Sequence, residues 1–284
     1  MKKITLVSVH GGHSGQFCHH ATDSLEEIVQ LYIKKQFRWV GITEHSPAIS
    51  DALLYPDQRA AGLTPDFLLD RFAAYMQECR RLQKKYRSEI RIFAAMEIET
   101  YSGYETFIPS LINRFQPDYI VGSVHFVNDM GFDYSQGQYD KTVAAAGGID
   151  QLYCNYFDAQ YQMIKLLQPA VVGHFDLIRI FDPGYKQRLL QPKIMARIKR
   201  NLQLIRELDL IMDFNLRSLL KGADEPYISR VILEMALAMG IAVVPGDDSH
   251  GLASVGANME QGIAILREQP GCDNGWREPQ LLHY

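Results

Sequence analysis

The sequence predicts a single-domain α/β protein built on parallel β-strands. Short, mostly non-alternating runs of apolar and β-branched residues recur along its 284 residues, as expected of strands that are covered on both faces. Segments with helical period separate most of these runs, and such alternation is typical of parallel sheets. Because no repeat or flexible linker divides the chain, we expect one domain over residues 1–284. The seven predicted strands are 4–9, 39–43, 90–96, 119–124, 170–173, 210–214 and 241–244.

Start signals place helices between several of these strands. Ser24 and Glu27 form a capping box for a helix that runs to about residue 35. Pro65 opens a long amphipathic helix that reaches about residue 87. Two more helices are expected near Pro192 and Pro226, and they end at about residues 208 and 240.

Composition excludes several classes of protein. A formal net charge of -4 provides no basic excess of the kind that binds nucleic acid. Every apolar run is shorter than the roughly 18 residues of a membrane span, and the first is too short for a signal peptide. The four cysteines form no CxxC pair, so a disulfide framework is not expected. We therefore expect a soluble, cytoplasmic protein that binds neither nucleic acid nor membranes, and we leave its oligomeric state open.

Potential metal ligands recur where the predicted strands end. Any one of them alone is more often a structural residue, but the carboxyl ends of barrel strands meet at the face that carries active sites. Imidazoles mixed with carboxylates suit zinc, manganese, iron or cobalt. Eight or nine ligands are too many for one ion, so the pattern predicts two or three divalent ions. The ligands at strand ends are His10, His45, Glu97, His125, His174 and His250, and His13 and His20 follow the first strand.

These motifs resemble those of the PHP (polymerase and histidinol phosphatase) superfamily, and within it the histidinol-phosphate phosphatase branch. The resemblance implies a distorted seven-stranded (β/α) barrel, similar to a TIM barrel, with a trinuclear metal centre. It also implies hydrolysis of L-histidinol phosphate to histidinol and phosphate in histidine biosynthesis. By motif, the implied metal ligands are His13, His20, His45, Glu97, His125, His174, Asp248 and His250. The motifs are HGGHSGQFCHHA (10–21), TEH (43–45), MEIE (96–99), GSVH (122–125), GHFD (173–176) and DSH (248–250).

The first motif departs from the family pattern. The family opens with His-x-His, whereas this chain has two glycines between His10 and His13. A simple extended strand cannot point both rings at one ion, but a glycine bulge would restore that geometry. Either His10 still binds metal or one ligand is missing.

Two other ligand choices rest on position. We prefer Glu97 to Glu99 because it directly follows the apolar run, although both would face the same side of a strand. We prefer Asp248 to Asp247 because the spacing Asp-x-His puts Asp248 and His250 on one face.

The expected mechanism is in-line attack on phosphorus by a metal-bridging hydroxide. Arg179 and Arg217 are candidate phosphate clamps, since guanidinium binds phosphate in a bidentate manner. Lys221 is a weaker candidate, and many relatives have an arginine where Leu220 stands. The proton for the leaving group would come from Asp248 or from a protonated histidine.

Other acidic residues are candidates for supporting roles. Glu44 and Asp176, beside His45 and His174, could orient the imidazole rings. The stretches 46–64 and 126–148 are longer than ordinary connections, so we expect irregular loops that carry function. Asp51 and Asp57 of the first loop could receive the ammonium group of an aminoalcohol phosphate.

Three alternatives stay open at this point. The same barrel could hydrolyse another phosphomonoester or a nucleotide. A metal amidohydrolase would use fewer ligands and a carboxylated lysine, and no strand-end lysine is visible here. A non-catalytic metal-binding relative could have lost activity through the altered first motif.

Overall fold

The computed structural model describes residues 5–269 and 275–284, in which strands and helices alternate along most of the chain. The first residue of the predicted strand 4–9 and Cys272 lie outside these ranges. The strands are β1 (Leu6–Ser8), β2 (Phe37–Ile42), β3 (Arg91–Ala94), β4 (Met96–Ile98), β5 (Ile120–Gly122), β6 (Phe126–Val127), β7 (Met130–Gly131), β8 (Val171–Val172), β9 (Ile211–Asn215) and β10 (Ala242–Gly246).

The helices lie mainly between consecutive strands. They are α1 (Leu25–Lys34), α2 (Pro56–Ala60), α3 (Pro65–Lys85), α4 (Tyr104–Phe115), α5 (Gln136–Ala146), α6 (Ile149–Leu167), α7 (Tyr185–Leu189), α8 (Pro192–Glu207), α9 (Arg217–Leu220), α10 (Arg230–Ala238) and α11 (Met259–Arg267). Short 3-10 turns cover Asp51–Leu53 and Leu177–Arg179.

The strands form parallel sheets, which confirms the predicted α/β class. One sheet has the order β1-β2-β3 and the other the order β10-β9-β8-β5-β4, and every pair in both is parallel. Strands β6 and β7 form a separate antiparallel hairpin.

The predicted third strand, 90–96, is divided at Ala95. The amide of Ala95 donates to the Ile42 carbonyl at 2.8 Å, whereas the amide of Met96 donates to the Tyr119 carbonyl at 3.2 Å. The chain therefore changes its hydrogen-bonding partner between adjacent residues, and two strands replace the one expected.

Alternate residues of the strands enter two separate apolar clusters. Trp39, Val121 and Ile211 belong to an inner cluster, whereas their neighbours in sequence pack under the helices. Both faces are thus buried, which explains why the apolar runs do not alternate with polar residues. Two residues after Val121 and Ile211 the inward positions become polar, at Ser123 and Asp213. The inward side of each strand therefore carries apolar residues at its start and polar ones at its carboxyl end.

The helix predictions hold at three of four starts. Ser24 caps α1 through the expected capping box with Glu27, and α3 and α8 begin at the predicted prolines. The fourth helix begins at Arg230 rather than near Pro226, because Tyr227 exchanges backbone hydrogen bonds with Asn215 of β9.

The long stretches are less irregular than predicted. The stretch 126–148 contains the β6–β7 hairpin and all of α5, and the stretch 46–64 contains a 3-10 turn and α2. The buried residues of α5 are Tyr139 and Thr142. Because so few of its side chains face the interior, its sequence shows little of the apolar periodicity that predicts a helix. None of the helices in the described ranges is long and apolar enough to cross a membrane.

Candidate metal centre

Histidines that follow four strands, β1, β2, β5 and β8, surround the carboxylate of Glu97. Its Oε2 lies 3.0 Å from His45 Nδ1, 3.4 Å from His10 Nε2 and 3.8 Å from His13 Nε2. Its Oε1 lies 3.0 Å from His174 Nε2 and 3.5 Å from His125 Nε2. Glu97 is therefore shared between two sets of imidazoles, one on each carboxylate oxygen. We call these residues, together with Asp248, His250 and His20, the histidine cluster.

The remaining members complete the far side of the cluster. Asp248 Oδ1 lies 3.5 Å from His13 Nε2 and 3.5 Å from His250 Nδ1. The Nε2 atoms of His250 and His20 are 3.1 Å apart, and the His20 side chain is 40% exposed. Every histidine and carboxylate that the sequence singled out as a ligand thus lies in one contiguous group.

His10 joins the cluster despite the altered first motif. Its Nδ1 lies 2.9 Å from Asp213 Oδ2, and a hydrogen bond from Nδ1–H to this carboxylate leaves Nε2 free toward Glu97. A side chain could not replace Gly11, because a Cβ there would lie 2.5 Å from the Gly41 carbonyl oxygen. With glycine at positions 11 and 12, the backbone fits beside β2, and the rings of both His10 and His13 face Glu97.

The donor atoms fit divalent metal ions. The ring nitrogens of His13 and His45 are buried and make no hydrogen bond of acceptable geometry within 5–269 and 275–284, although His45 Nδ1 lies 3.0 Å from Glu97 Oε2. The Nε2 atoms of His125 and His174 are 3.1 Å apart, close to the roughly 3.3 Å between two nitrogens on one tetrahedral zinc ion. Buried polar atoms without partners are rare in folded proteins, so shared cations account for both features. The ligand atoms fall into groups within 4.8 Å of one another, including Glu97-His125-His174 and His10-His13-Glu97.

Burial and neighbouring charges shift the pKa values of the cluster histidines in opposite directions. Burial opposes the charged form of His125, but Glu99 and Glu97 outweigh it and raise the pKa of His125 to about 9. On the other side, burial and the neighbouring His45 and His13 lower the pKa of His20 to about 3. An imidazole that stays neutral near pH 7 is in the form that binds metal.

Carboxylates next to the cluster hold its imidazole rings in place, but some of these carboxylates contact a different ring from the one predicted. Glu44 accepts hydrogen bonds from the Ser14 amide and hydroxyl, and its other oxygen lies 3.5 Å from His13 rather than against His45. Glu99 lies 2.7 Å from His125 Nδ1, on the same side of the strand as Glu97 as expected. Sequence reasoning missed Asp213; its position two residues after the inward Ile211 was the available signal.

Asp176 and Asp247 neither orient an imidazole ring of the cluster nor face it as metal ligands. Asp176 does not orient His174, because it accepts hydrogen bonds from the amides of Ile228 and Ser229 and pairs with Arg179. Asp247 accepts from Ser8 and Tyr32 behind the cluster, whereas Asp248 faces the histidines, as the sequence predicted.

Cys18 is a neighbour of the cluster that the sequence did not single out. Its Sγ lies 3.4 Å from His20 Nε2 and within 4.8 Å of a ring nitrogen of each of His13, His45 and His250. Burial raises the pKa of Cys18 to about 12, which keeps it a thiol rather than the thiolate that binds metal.

A cavity of about 380 Å³ opens onto the cluster. Arg217 and Lys221 line it, but Arg179 does not. The guanidinium of Arg179 is buried, donates to the carbonyls of Glu225 and Pro226, and lies over the Tyr227 ring. The rest of the lining is His20, His45, Tyr55, Pro56, Asp57, Glu97, His125, Asp133, Tyr134, His174, Leu177, Tyr227, Asp248 and His250.

Known proteins resemble the chain over most of its length. The sequence pattern of the family described as PHP domain matches residues 11–217. A probable histidinol-phosphatase of Schizosaccharomyces pombe is 35% identical over 251 residues, which cover 87% of this chain and 81% of that protein. A crystal structure from Listeria monocytogenes, assigned as a histidinol phosphatase, has a TM-score of 0.80 and 26% identity over 90% of this chain and 99% of that one.

A more distant structure shares the fold. Histidinol phosphate phosphatase from Lactococcus lactis, complexed with zinc, L-histidinol and phosphate, has a TM-score of 0.71 and 17% identity over 96% of this chain and 95% of that one. The extent of the sequence match, together with a histidine cluster built from the family's motifs, leads to one identification. The chain belongs to the PHP domain family.

Proposed function

We propose that the protein is a metal-dependent phosphatase that hydrolyses L-histidinol phosphate to L-histidinol and phosphate. The observation that carries this proposal is the Glu97 carboxylate, shared by five imidazoles at the floor of a cavity that Arg217 also lines. The relatives in yeast and Listeria carry the name of this activity. A nucleotide or a generic phosphomonoester is the alternative substrate.

Two or three divalent ions, of zinc, manganese or iron, would be held by the histidine cluster. Bound ions would activate water for attack on phosphorus and neutralise charge on the phosphoryl oxygens. Glu97 would help to hold the ions with both sets of rings, since each of its oxygens faces a different set. The proposed ligands are His10, His13, His20, His45, Glu97, His125, His174, Asp248 and His250.

Arg217 is the proposed phosphate clamp. One of its terminal nitrogens donates to the Asp248 carbonyl at 2.8 Å, which holds the guanidinium at the edge of the cluster. Its other N–H groups can bind phosphoryl oxygens, and Lys221 adds a second cation on the same wall. Arg179 has a different proposed role, because its donors are engaged by Glu225 and Pro226, so it positions Tyr227 of the cavity wall.

Asp248 is proposed as a ligand and not as the proton donor. Burial disfavours its charged form, but His10 and Arg217 outweigh burial and hold its pKa well below the usual range. Its Oδ2 also accepts a hydrogen bond from the Asn215 amide at 3.1 Å. A carboxylate stabilised in this way does not carry a proton near neutral pH.

We propose further that the strands close into a distorted seven-stranded barrel within a single domain. The amide of Val9, after β1, donates to the Pro245 carbonyl of β10 at 2.9 Å. On the other side, the bridge between His45 and Glu97 joins the end of β2 to β4. With β3 and β4 counted as one interrupted strand, these contacts support a closed ring of seven. The cytoplasmic location expected from the sequence stays a prediction.

Steady-state kinetics on a panel of phosphate esters test the proposed function. The enzyme, loaded in turn with zinc, manganese or iron, is assayed with L-histidinol phosphate, p-nitrophenyl phosphate and AMP. We expect kcat/KM for L-histidinol phosphate to exceed the other two by about 100-fold or more, because a cavity built for one polar substrate rejects others strongly. Equal or higher values for AMP or p-nitrophenyl phosphate would refute the assignment.

Substitution of the clamp gives a second check. Arg217→Gln should lower kcat/KM about 100-fold for every ester in the panel, since all share the phosphoryl group. An effect confined to one ester would contradict the clamp role.

A further inference from the structure

One carboxylate in the cavity is not used by the histidine cluster. Asp133 lines the cavity, and its Oδ1 is buried without a hydrogen-bond partner in the part of the chain that the structure describes. Leaving a buried carboxylate oxygen unpaired is costly, because the group loses water and gains nothing in return. Asp133 therefore has unused capacity to accept hydrogen bonds inside the cavity.

The backbone holds this carboxylate in a fixed place. The preceding residue, Phe132, is fully buried against Tyr156 and donates its amide to the His125 carbonyl at 3.3 Å. Thr142 of α5 donates to the Gly131 carbonyl at 3.2 Å, which ties the β6–β7 hairpin to the helix. The segment that carries Asp133 is thus anchored on both a cluster histidine and a helix.

Another carboxylate of the lining, Asp57, is already occupied. Its Oδ1 accepts the Gln58 amide at 2.9 Å, its Oδ2 lies 3.9 Å from His20 Nδ1, and its side chain is 41% exposed. An ion pair at such an exposed site contributes little. Glu97 and Asp248 face the histidines, so Asp133 is the better partner for a substrate cation.

The proposed substrate carries a cation close to its phosphate. In L-histidinol phosphate the ammonium group stands on the carbon next to the one that bears the phosphate ester. When the clamp and the histidine cluster hold the phosphate, the ammonium must lie inside the cavity and lose most of its water. A buried ammonium requires a carboxylate partner to offset that loss.

We propose that Asp133 receives the ammonium group of the substrate and thereby selects phosphate esters of 2-amino alcohols. This inference rests on the proposed function and replaces the expected role of Asp51 and Asp57. Tyr55 and Tyr134, whose ring centroids are 6.3 Å apart, form the aromatic wall beside this carboxylate. Their rings provide a surface for the imidazole of the substrate, which follows the ammonium-bearing carbon.

The test compares two substrates that differ in the ammonium group alone. They are L-histidinol phosphate and its desamino analogue, 3-(imidazol-4-yl)propyl phosphate, and the measured quantity is the ratio of their kcat/KM values. In the wild-type enzyme we expect a ratio between about 10 and about 100, as for one hydrogen-bonded charge pair. Asp133→Asn should bring the ratio close to 1 and lower kcat/KM for p-nitrophenyl phosphate far less than for L-histidinol phosphate, because that ester has no ammonium.

Asp57→Asn is the matched control and should keep the wild-type ratio. A wild-type ratio retained in Asp133→Asn, or lost in Asp57→Asn instead, would overturn the assignment of Asp133. Equal loss of activity on all three esters in Asp133→Asn would also overturn it, since that pattern marks a structural role. If the wild-type enzyme fails to hydrolyse L-histidinol phosphate at all, the proposed function itself is refuted.

Discussion

Replacing Glu97 by glutamine tests the central feature of the site. The change keeps the shape of the side chain, removes one negative charge and replaces one ligand oxygen by an NH₂ group that cannot bind a cation. Because Oε2 faces three imidazoles and Oε1 faces two, both ligand sets lose part of their carboxylate. Loss of even a supporting partner typically weakens metal binding by about 10–100-fold. Two affected sets therefore predict a combined loss of about 10²–10⁴-fold in apparent affinity.

The assay is metal content by mass spectrometry after dialysis against a competing chelator, together with activity on L-histidinol phosphate. Glu99→Gln is the matched control, because Glu99 comes two residues after Glu97, just past β4, and lies 2.7 Å from His125 Nδ1 and 3.3 Å from His45 Nδ1. We expect Glu99→Gln to retain its metals with a smaller loss of affinity, of about 10–100-fold. Wild-type metal content in Glu97→Gln, or a larger loss in Glu99→Gln, would refute the proposed role of Glu97 as the carboxylate shared by both sets of rings.

Three further predictions concern packing, pH and metal removal. Gly11→Ala should destabilise the protein by about 3 kcal/mol in urea denaturation, because its Cβ would collide with the Gly41 carbonyl; Gly137→Ala, in open space, should cost nothing. Several interactions lower the pKa of Glu26 to about 2, and the hydrogen bond with Lys85 is the largest of them. Glu26→Gln should therefore lower the free energy of unfolding by about 1 kcal/mol at pH 7. This difference is fully present above pH 4.5 and should shrink as the pH falls toward 2; a constant difference would contradict the ion pair. Dialysis against a chelator should abolish activity and lower the melting temperature, and the ion that restores both identifies the metal.

Much of the site could be predicted because its ligands follow strands that the sequence makes visible. Continuous apolar runs identify buried strands, and a polar residue directly after such a run must lie near the carboxyl edge. This reasoning located His45, His125 and His174, whereas the spacing Asp-x-His favoured Asp248 over Asp247. It could not decide whether His10 reaches the cluster, because the two glycines permit several backbone paths.

Other features depend on contacts between distant parts of the chain. Arg179 is suited to bind phosphate by its chemistry, yet the carbonyls of Glu225 and Pro226 engage it instead. Asp176 likewise accepts hydrogen bonds from the amides of Ile228 and Ser229, just before α10, and does not orient His174. Neither partner lies near these residues in sequence, so no local pattern indicates the pairing.

The sequence by itself determined the α/β class, the positions of most strands and the residue types of the metal centre, because apolar periodicity and strand-end polarity are local properties of the chain. The tertiary structure decided which carboxylate supports which ring, which arginine lines the cavity, and that the Asp133 carboxylate faces the same cavity. Those outcomes depend on which distant segments come within hydrogen-bonding distance of one another, and that distance is set only when the sheets and helices pack together.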